Sequence, residues 1–372
     1  MTSKTHDLFL SLVRLGIGHT DSTNFTDKVD WVALKTLADQ HGLSAVVLDG
    51  LNEVSKSNSQ LSARACSLSS ERTLNSQLKL SWIGEVMQSY EQRYVQYEKA
   101  IWNLAGWYNQ HGYKMMVLKG YACSLDWPNP KHRPCGDIDI WQFGQQREAD
   151  TVLTNEKDLI IDTAHHHHTV FEWDGFSVEN HYDFLNVYHH KSNVEMESIL
   201  KELGNDDSHF VELNGEKVYL PSANLHALFL LRHSMSNFAS TGFQLRQLLD
   251  WAFFVEKHGE EMDWEWLESQ LEHFGMKKLY DVFNAICVED LGFDVKLFPQ
   301  AQFQPQFKKR VLNDILTPEF SEKESGGFLS RAVFKYRRWK ANAWKHELCF
   351  NDSLWSAFWS GVWGHLMKPG MI

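Results

Sequence analysis

The sequence predicts an α+β fold in which a β-rich middle lies between two helical regions. Apolar residues recur at helical spacing over the first hundred residues and again beyond Ser222. Short continuous or alternating apolar runs, the mark of strands, occur only between them. The chain therefore divides into a helical region over residues 1–95, a core over 96–220, and a second helical region over 221–372 that ends in a basic and aromatic tail.

Trp31, Leu34, Leu37 and Ala38 form the face of a helix that Gly42 stops, and Val46, Val47, Leu48 and Leu51 continue an apolar face behind it. The Ser-rich stretch 55–76 reads as a polar connection or helix surface, and a longer helix runs from about Leu78 to Tyr108. After His111 and Gly112, the run Met115, Met116, Val117 and Leu118 has the character of a buried strand and ends in Lys119-Gly120. A second strand covers residues 137–141, after the turn-rich Pro128, Pro130 and Pro134, and further runs follow at 169–173, 177–184 and 216–220. Leu225, Leu228, Phe229 and Arg232 then lead into a helix bearing Leu245, Leu248, Leu249, Ala252 and Phe253, with Gly259 past its end. Arg246 and Asp250, four apart, are placed to pair on that helix. Residues 299–305 and 325–327 punctuate the remainder.

With 372 residues and 43% hydrophobic content the chain can bury a sizeable core. Its net charge of −12 repels polyanions and argues against a DNA partner. The five cysteines are scattered, with no C-x-x-C spacing, which argues against a disulfide framework and a structural zinc site and fits a reducing cytoplasm. Arg14 interrupts the apolar residues 8–17, and His6 and Asp7 stand where a signal peptide would be basic; no run reaches membrane-spanning length. A cytoplasmic protein is expected.

The chemistry concentrates in the middle region. On a strand, residues two apart share a face, so Asp137 and Asp139 project together while Ile138 and Ile140 face the core. Their Cβ atoms would lie roughly 6.5 to 7 Å apart, and their oxygens can converge on one or two Mg²⁺ ions about 3.5 to 4 Å apart. Glu179 is the best third carboxylate, sharing a face with Ser177 and His181 while Phe176, Val178 and Tyr182 point away. A register shift would substitute one of the neighbouring acids Glu172, Asp174 or Asp183. Gly120 lets the backbone approach phosphate oxygens, Lys119 supplies a compact positive charge, and Arg133 can fork two phosphate oxygens.

Leu118-Lys119-Gly120, the segment from Arg133 through Gly136-Asp137-Ile138-Asp139-Ile140, and Val178-Glu179-Asn180-His181 together resemble the nucleotidyltransferase superfamily, in particular a poorly characterised bacterial branch. Helical residues 31–51 and 245–252 are similar as well, so the resemblance reaches to about residue 270. It implies a small mixed β-sheet nucleotidyltransferase core flanked by helices. It also implies Mg²⁺ on Asp137, Asp139 and Glu179, a nucleoside triphosphate (ATP foremost) held through Lys119, Gly120, Arg133 and Gly136, and transfer of a nucleotidyl group to a hydroxyl. Lys119-Gly120 departs from the commoner Gly-Ser motif, which bears on the donor-phosphate contacts. The acceptor is unspecified, with a small molecule or glycan precursor favoured. The rivals are a toxin-like transferase acting on tRNA or protein, and a non-catalytic nucleotide-binding protein.

Residues 165–168 are four consecutive histidines, with His181, His189 and His190 nearby. On a strand adjacent rings point to opposite faces, so the four cannot share one ion without a bend, and a structural or acceptor-lining role is preferred to zinc. His233 is read as a core residue. In the tail, Arg331, Lys335, Arg337, Arg338, Lys340 and Lys345 alternate with aromatics, and Trp355, Trp359 and Trp363 recur every four residues. The plainer reading has these tryptophans completing the core; the other has the tail contacting a membrane surface or a polyanion.

Overall fold

Local chemistry sets the helix boundaries in the computed structural model, which describes residues 3–20, 29–61, 76–188, 190–240, 242–299, 303–320, 327–356 and 359. The N-terminal layer holds α1 (Ser3–Gly16), α2 (Trp31–Gln40) and α3 (Ser44–Leu61). Asp30 accepts the Ala33 amide at 3.0 Å and caps α2. Gly42, at φ 65°, then turns the chain so that the Leu43 amide reaches the Ala38 carbonyl at 2.9 Å. Helix α1 crosses α3 where Gly16 and Gly50 stand; a Cβ at either would strike the carbonyl oxygen of Val46 or Leu12, so the two backbones touch. The Ser-rich stretch falls partly on α3, and residues 62–75 lie outside the described residues.

The long helix expected from about Leu78 is α4 (Ser76–Val86) and α5 (Arg93–Gln110), joined by a π-helical turn at Met87–Gln92. The middle region follows as β1 (Met116–Val117), α6 (Lys119–Ser124), β2 (Ile138–Trp141), α7 (Gln146–Lys157), β3 (His168–Trp173), β4 (Phe176–His181), α8 (Lys191–Leu203), β5 (Phe210–Leu213) and β6 (Glu216–Tyr219). Its strands form one six-stranded mixed sheet in the order β3-β4-β2-β1-β6-β5. β2 runs parallel to β4 and β1 parallel to β6, while the other pairs are antiparallel. The fold is α+β, as the sequence predicts. Sequence reading omitted β5, a short edge strand whose burial alternates only between exposed and half-buried, with Val211 and Leu213 turned to the core.

Period-two alternation divides the sheet between two cores. Val117, Ile138, Ile140, Phe171, Val178 and Val218 pack beneath α5, whose Tyr97, Ile101 and Leu104 complete that layer. Met116, Trp141 and Tyr219 point to the opposite face. There they meet the C-terminal helices α9 (Ala223–Ala239), α10 (Leu245–His258), α11 (Trp264–His273), α12 (Lys277–Glu289), α13 (Pro305–Leu316), α14 (Phe328–Ala341) and α15 (Ala343–Cys349). No helix among the described residues is long and apolar enough to cross a membrane.

Two sequence expectations are corrected here. Arg246 and Asp250 do not pair: Asp250 accepts from Arg133 Nε at 2.8 Å, from Arg133 Nη2 at 3.0 Å and from Trp127 Nε1 at 2.9 Å, while Arg246 Nε donates to Gln244 at 2.7 Å. A bidentate guanidinium from another element outcompetes the neighbour one turn away. Nor do the C-terminal tryptophans complete the core, because Trp355 and Trp359 are 61% and 63% exposed; Trp363 lies outside the described residues. Trp344 on α15 is the indole that packs inward, its ring 3.9 Å from the Arg310 guanidinium and edge-on to Phe238.

Candidate active site

The parallel pairing of β2 with β4 sets Asp139 directly beside Glu179 and Trp141 beside His181. Neighbours in register share a face, so both acids leave the sheet on the side away from Ile138, Ile140 and Val178. Asp137 stands one residue before β2 begins, and is exposed where Asp139 is buried. All seven predicted residues, Lys119, Gly120, Arg133, Gly136, Asp137, Asp139 and Glu179, line one cavity of about 720 Å³ between the sheet, α9 and α10.

Lys119 and Gly120 are the first residues of α6 rather than part of a loop. Lys119 has φ 29°, a left-handed backbone that costs a non-glycine residue of order 1–3 kcal/mol. Its ammonium lies 2.6 Å from Asp139 Oδ1, which holds that conformation. Gly120 admits Tyr97: a Cβ there would sit 2.7 Å from the Tyr97 hydroxyl, which donates to the Asp137 carbonyl oxygen at 2.8 Å. The close approach that the structure shows at this glycine is therefore to α5.

The electrostatics follow from burial and proximity. Burial would raise the Asp139 carboxyl, but the Lys119 charge and the hydrogen bond from His181 Nε2, at 3.1 Å, more than reverse it and keep it ionised. Glu179 moves the other way: burial first, then the neighbouring charge of Asp139, push its carboxyl up to about 7. For Lys119, burial favours the neutral amine, yet Asp139 and Glu179 outweigh it and its pKa is raised. Burial drives His167 down to about 2, and His168 and His233 down to about 3, so these imidazoles are neutral at pH 7.

Arg133 lies in the wall, but its guanidinium is committed, to Asp250 by Nε and Nη2 and to the Pro134 carbonyl at 3.3 Å by Nη1. Arg246, on the first turn of α10, is the cavity's other guanidinium, and no described residue accepts from its Nη atoms. Burial and then the charge of Arg133 lower its pKa. Gly42 makes room for it, since a Cβ there would lie 2.8 Å from Arg246 Cδ. Sequence reading assigned Arg246 to Asp250; the signal was its place in the first turn of a helix, where the macrodipole disfavours a cation that has no anion to meet. His233 also faces this cavity instead of the core, its Nε2 3.1 Å from Asn237 Nδ2.

The site is thus a mixed sheet that carries an in-register acid pair on adjacent strands, roofed by helices. The chain belongs to the family described as "Uncharacterised nucleotidyltransferase", which matches residues 27–291 and so includes every cavity residue just named. Among solved structures, an antigenic nucleotidyltransferase-like protein from Paracoccidioides brasiliensis aligns at 14% identity with a TM-score of 0.35, over 53% of this chain and 93% of that one. No curated protein matches the chain.

Proposed function

We propose that the cavity binds a nucleoside triphosphate, ATP foremost, with Mg²⁺ and transfers its nucleotidyl group to a hydroxyl of a small acceptor. The observation that carries this reading is the in-register pair Asp139 and Glu179, with Asp137 two residues before Asp139 on the wall of the same cavity. The donor set fits the ion: three carboxylates offer the hard oxygen ligands that Mg²⁺ selects, and burial, then the charge of Asp139, push Glu179 up to about 7. Bound there, Mg²⁺ would neutralise charge on the triphosphate and on the departing pyrophosphate.

The protein's own groups do the rest. Arg246 and Lys119 grip phosphate oxygens, Lys119 by swinging from Asp139 Oδ1 towards the ligand. Arg133, held on Asp250, fixes the wall from which Gly136 and Asp137 project. Glu179 takes the acceptor's proton; the acceptor oxygen bonds to the α-phosphorus, the α–β phosphoanhydride bond breaks, and pyrophosphate leaves. A cavity of about 720 Å³ accommodates a nucleotide with a small partner, which favours a small acceptor over tRNA or protein.

Pyrophosphate release, measured with each nucleotide and Mg²⁺ across a panel of sugars, alcohols and phosphorylated acceptors, tests the reading. Asp137→Asn is expected to lower turnover by at least about a hundredfold; full turnover in that variant would overturn the assignment. A second reading, transfer to RNA or protein with docking on the tail, is favoured by the exposure of Trp355, Trp359 and Tyr336 beside Lys335 and Arg337. It requires salt-sensitive RNA binding that is lost when residues after 327 are removed.

A further inference from the structure

Three imidazoles that nucleotidyl transfer leaves unused stand beside the acids. His167 and His168 are neighbours in sequence, and on a regular strand their rings would point to opposite faces. Residues 165–167 instead form a bend, and β3 opens only at His168. The two ring centroids therefore lie 4.4 Å apart at 81°, and 5.4 and 5.3 Å from that of His181, which β4 pairs with His168. One ring nitrogen of each lies within 4.8 Å of the others.

Two further observations point to a ligand. Nδ1 of His167 and Nδ1 of His168 are buried with no hydrogen-bond partner, a condition that native interiors rarely tolerate. His181 Nδ1 lies 3.1 Å from the Asp183 carbonyl oxygen. Its Nε2 lies on the side of the cluster, 3.1 Å from Asp139 Oδ1. Glu179 Oε2 stands 3.7 Å from His168 Nδ1 and 3.8 Å from His181 Nε2.

We propose that His167, His168 and His181 bind one divalent transition-metal ion of the zinc class. Imidazole nitrogen selects such ions over Mg²⁺, which prefers the all-oxygen set of Asp137 and Asp139. Tetrahedral ligation at about 2.0–2.1 Å needs nitrogens about 3.4 Å apart, a separation that modest side-chain rotations reach. Glu179 Oε2 stands beside two of these rings, so the imidazole and carboxylate sites share one wall.

Calorimetric titration of the chelator-treated full chain with Zn²⁺ alone is expected to give one ion per chain, and Co²⁺ to give the visible absorption of a four-coordinate site. His167→Ala and His168→Ala should each weaken Zn²⁺ binding by at least about tenfold, whereas Asp137→Asn binds it like the wild type. X-ray absorption of the zinc-loaded wild type, which needs no variant, should show imidazole scattering. No Zn²⁺ uptake, an all-oxygen shell, or uptake indifferent to both histidine substitutions overturns the site. Zinc bound as described in a chain that releases no pyrophosphate would sink the transferase reading and leave the imidazole site standing.

Discussion

Glu179 has a folded-state pKa of about 7 against an ordinary value of 4.5. Folding therefore takes up a proton between those values, and stability falls as pH rises from about 4.5 to about 7, remaining lower above it. Glu179→Gln removes the titration. It is expected to melt above the wild type at pH 8 and level with it at pH 4, by an amount on the order of 2 kcal/mol, while losing turnover. Thermal denaturation at the two pH values checks this, and an equal difference at both would contradict it. The stability cost arises because burial and the charge of Asp139 penalise the ionised carboxylate.

At the scale of elements, Arg133 and Asp250 join the segment before β2 to α10, with side chains 6% and 7% exposed. Removing one partner leaves a buried charge unanswered, so Asp250→Asn should cost about 3–5 kcal/mol in denaturant unfolding. Replacing both with apolar residues of similar volume should restore most of that loss. If Asp250→Asn is neutral, the pair is not what holds the cavity wall. The contact of α1 with α3 makes a separate demand, since Gly50→Ala meets the Leu12 carbonyl; a loss of about 1–3 kcal/mol is expected.

Over the whole molecule, the sheet supplies the acids, while α9 and α10 supply His233 and Arg246 from the facing layer. Of the described tail residues, Trp344, Leu348, Cys349 and Phe350 join the core, whereas Trp355 and Trp359 do not. Trp355→Ala and Trp359→Ala should change unfolding free energy by less than about 0.5 kcal/mol, because both rings stand mostly in solvent. A loss of several kcal/mol in either would mean that the tail packs where the structure leaves it exposed.

Periodicity alone yielded the α+β class, the strand around Asp139 and the shared face of Glu179 and His181, because these follow from 3.6- and 2-residue repeats within a few residues of sequence. The same local rules misplaced what depends on distant partners. Arg133 reaches Asp250 across 117 positions, Gly120 yields to Tyr97, and His233 turns to the cavity through the packing of α9. A bend before His168 brings the adjacent rings of His167 and His168 together, which regular strand alternation would not do. The sequence thus picked out candidate residues that line one cavity. Tertiary structure decided which of them meet, because long-range pairing energies outweigh local preference wherever charges are buried.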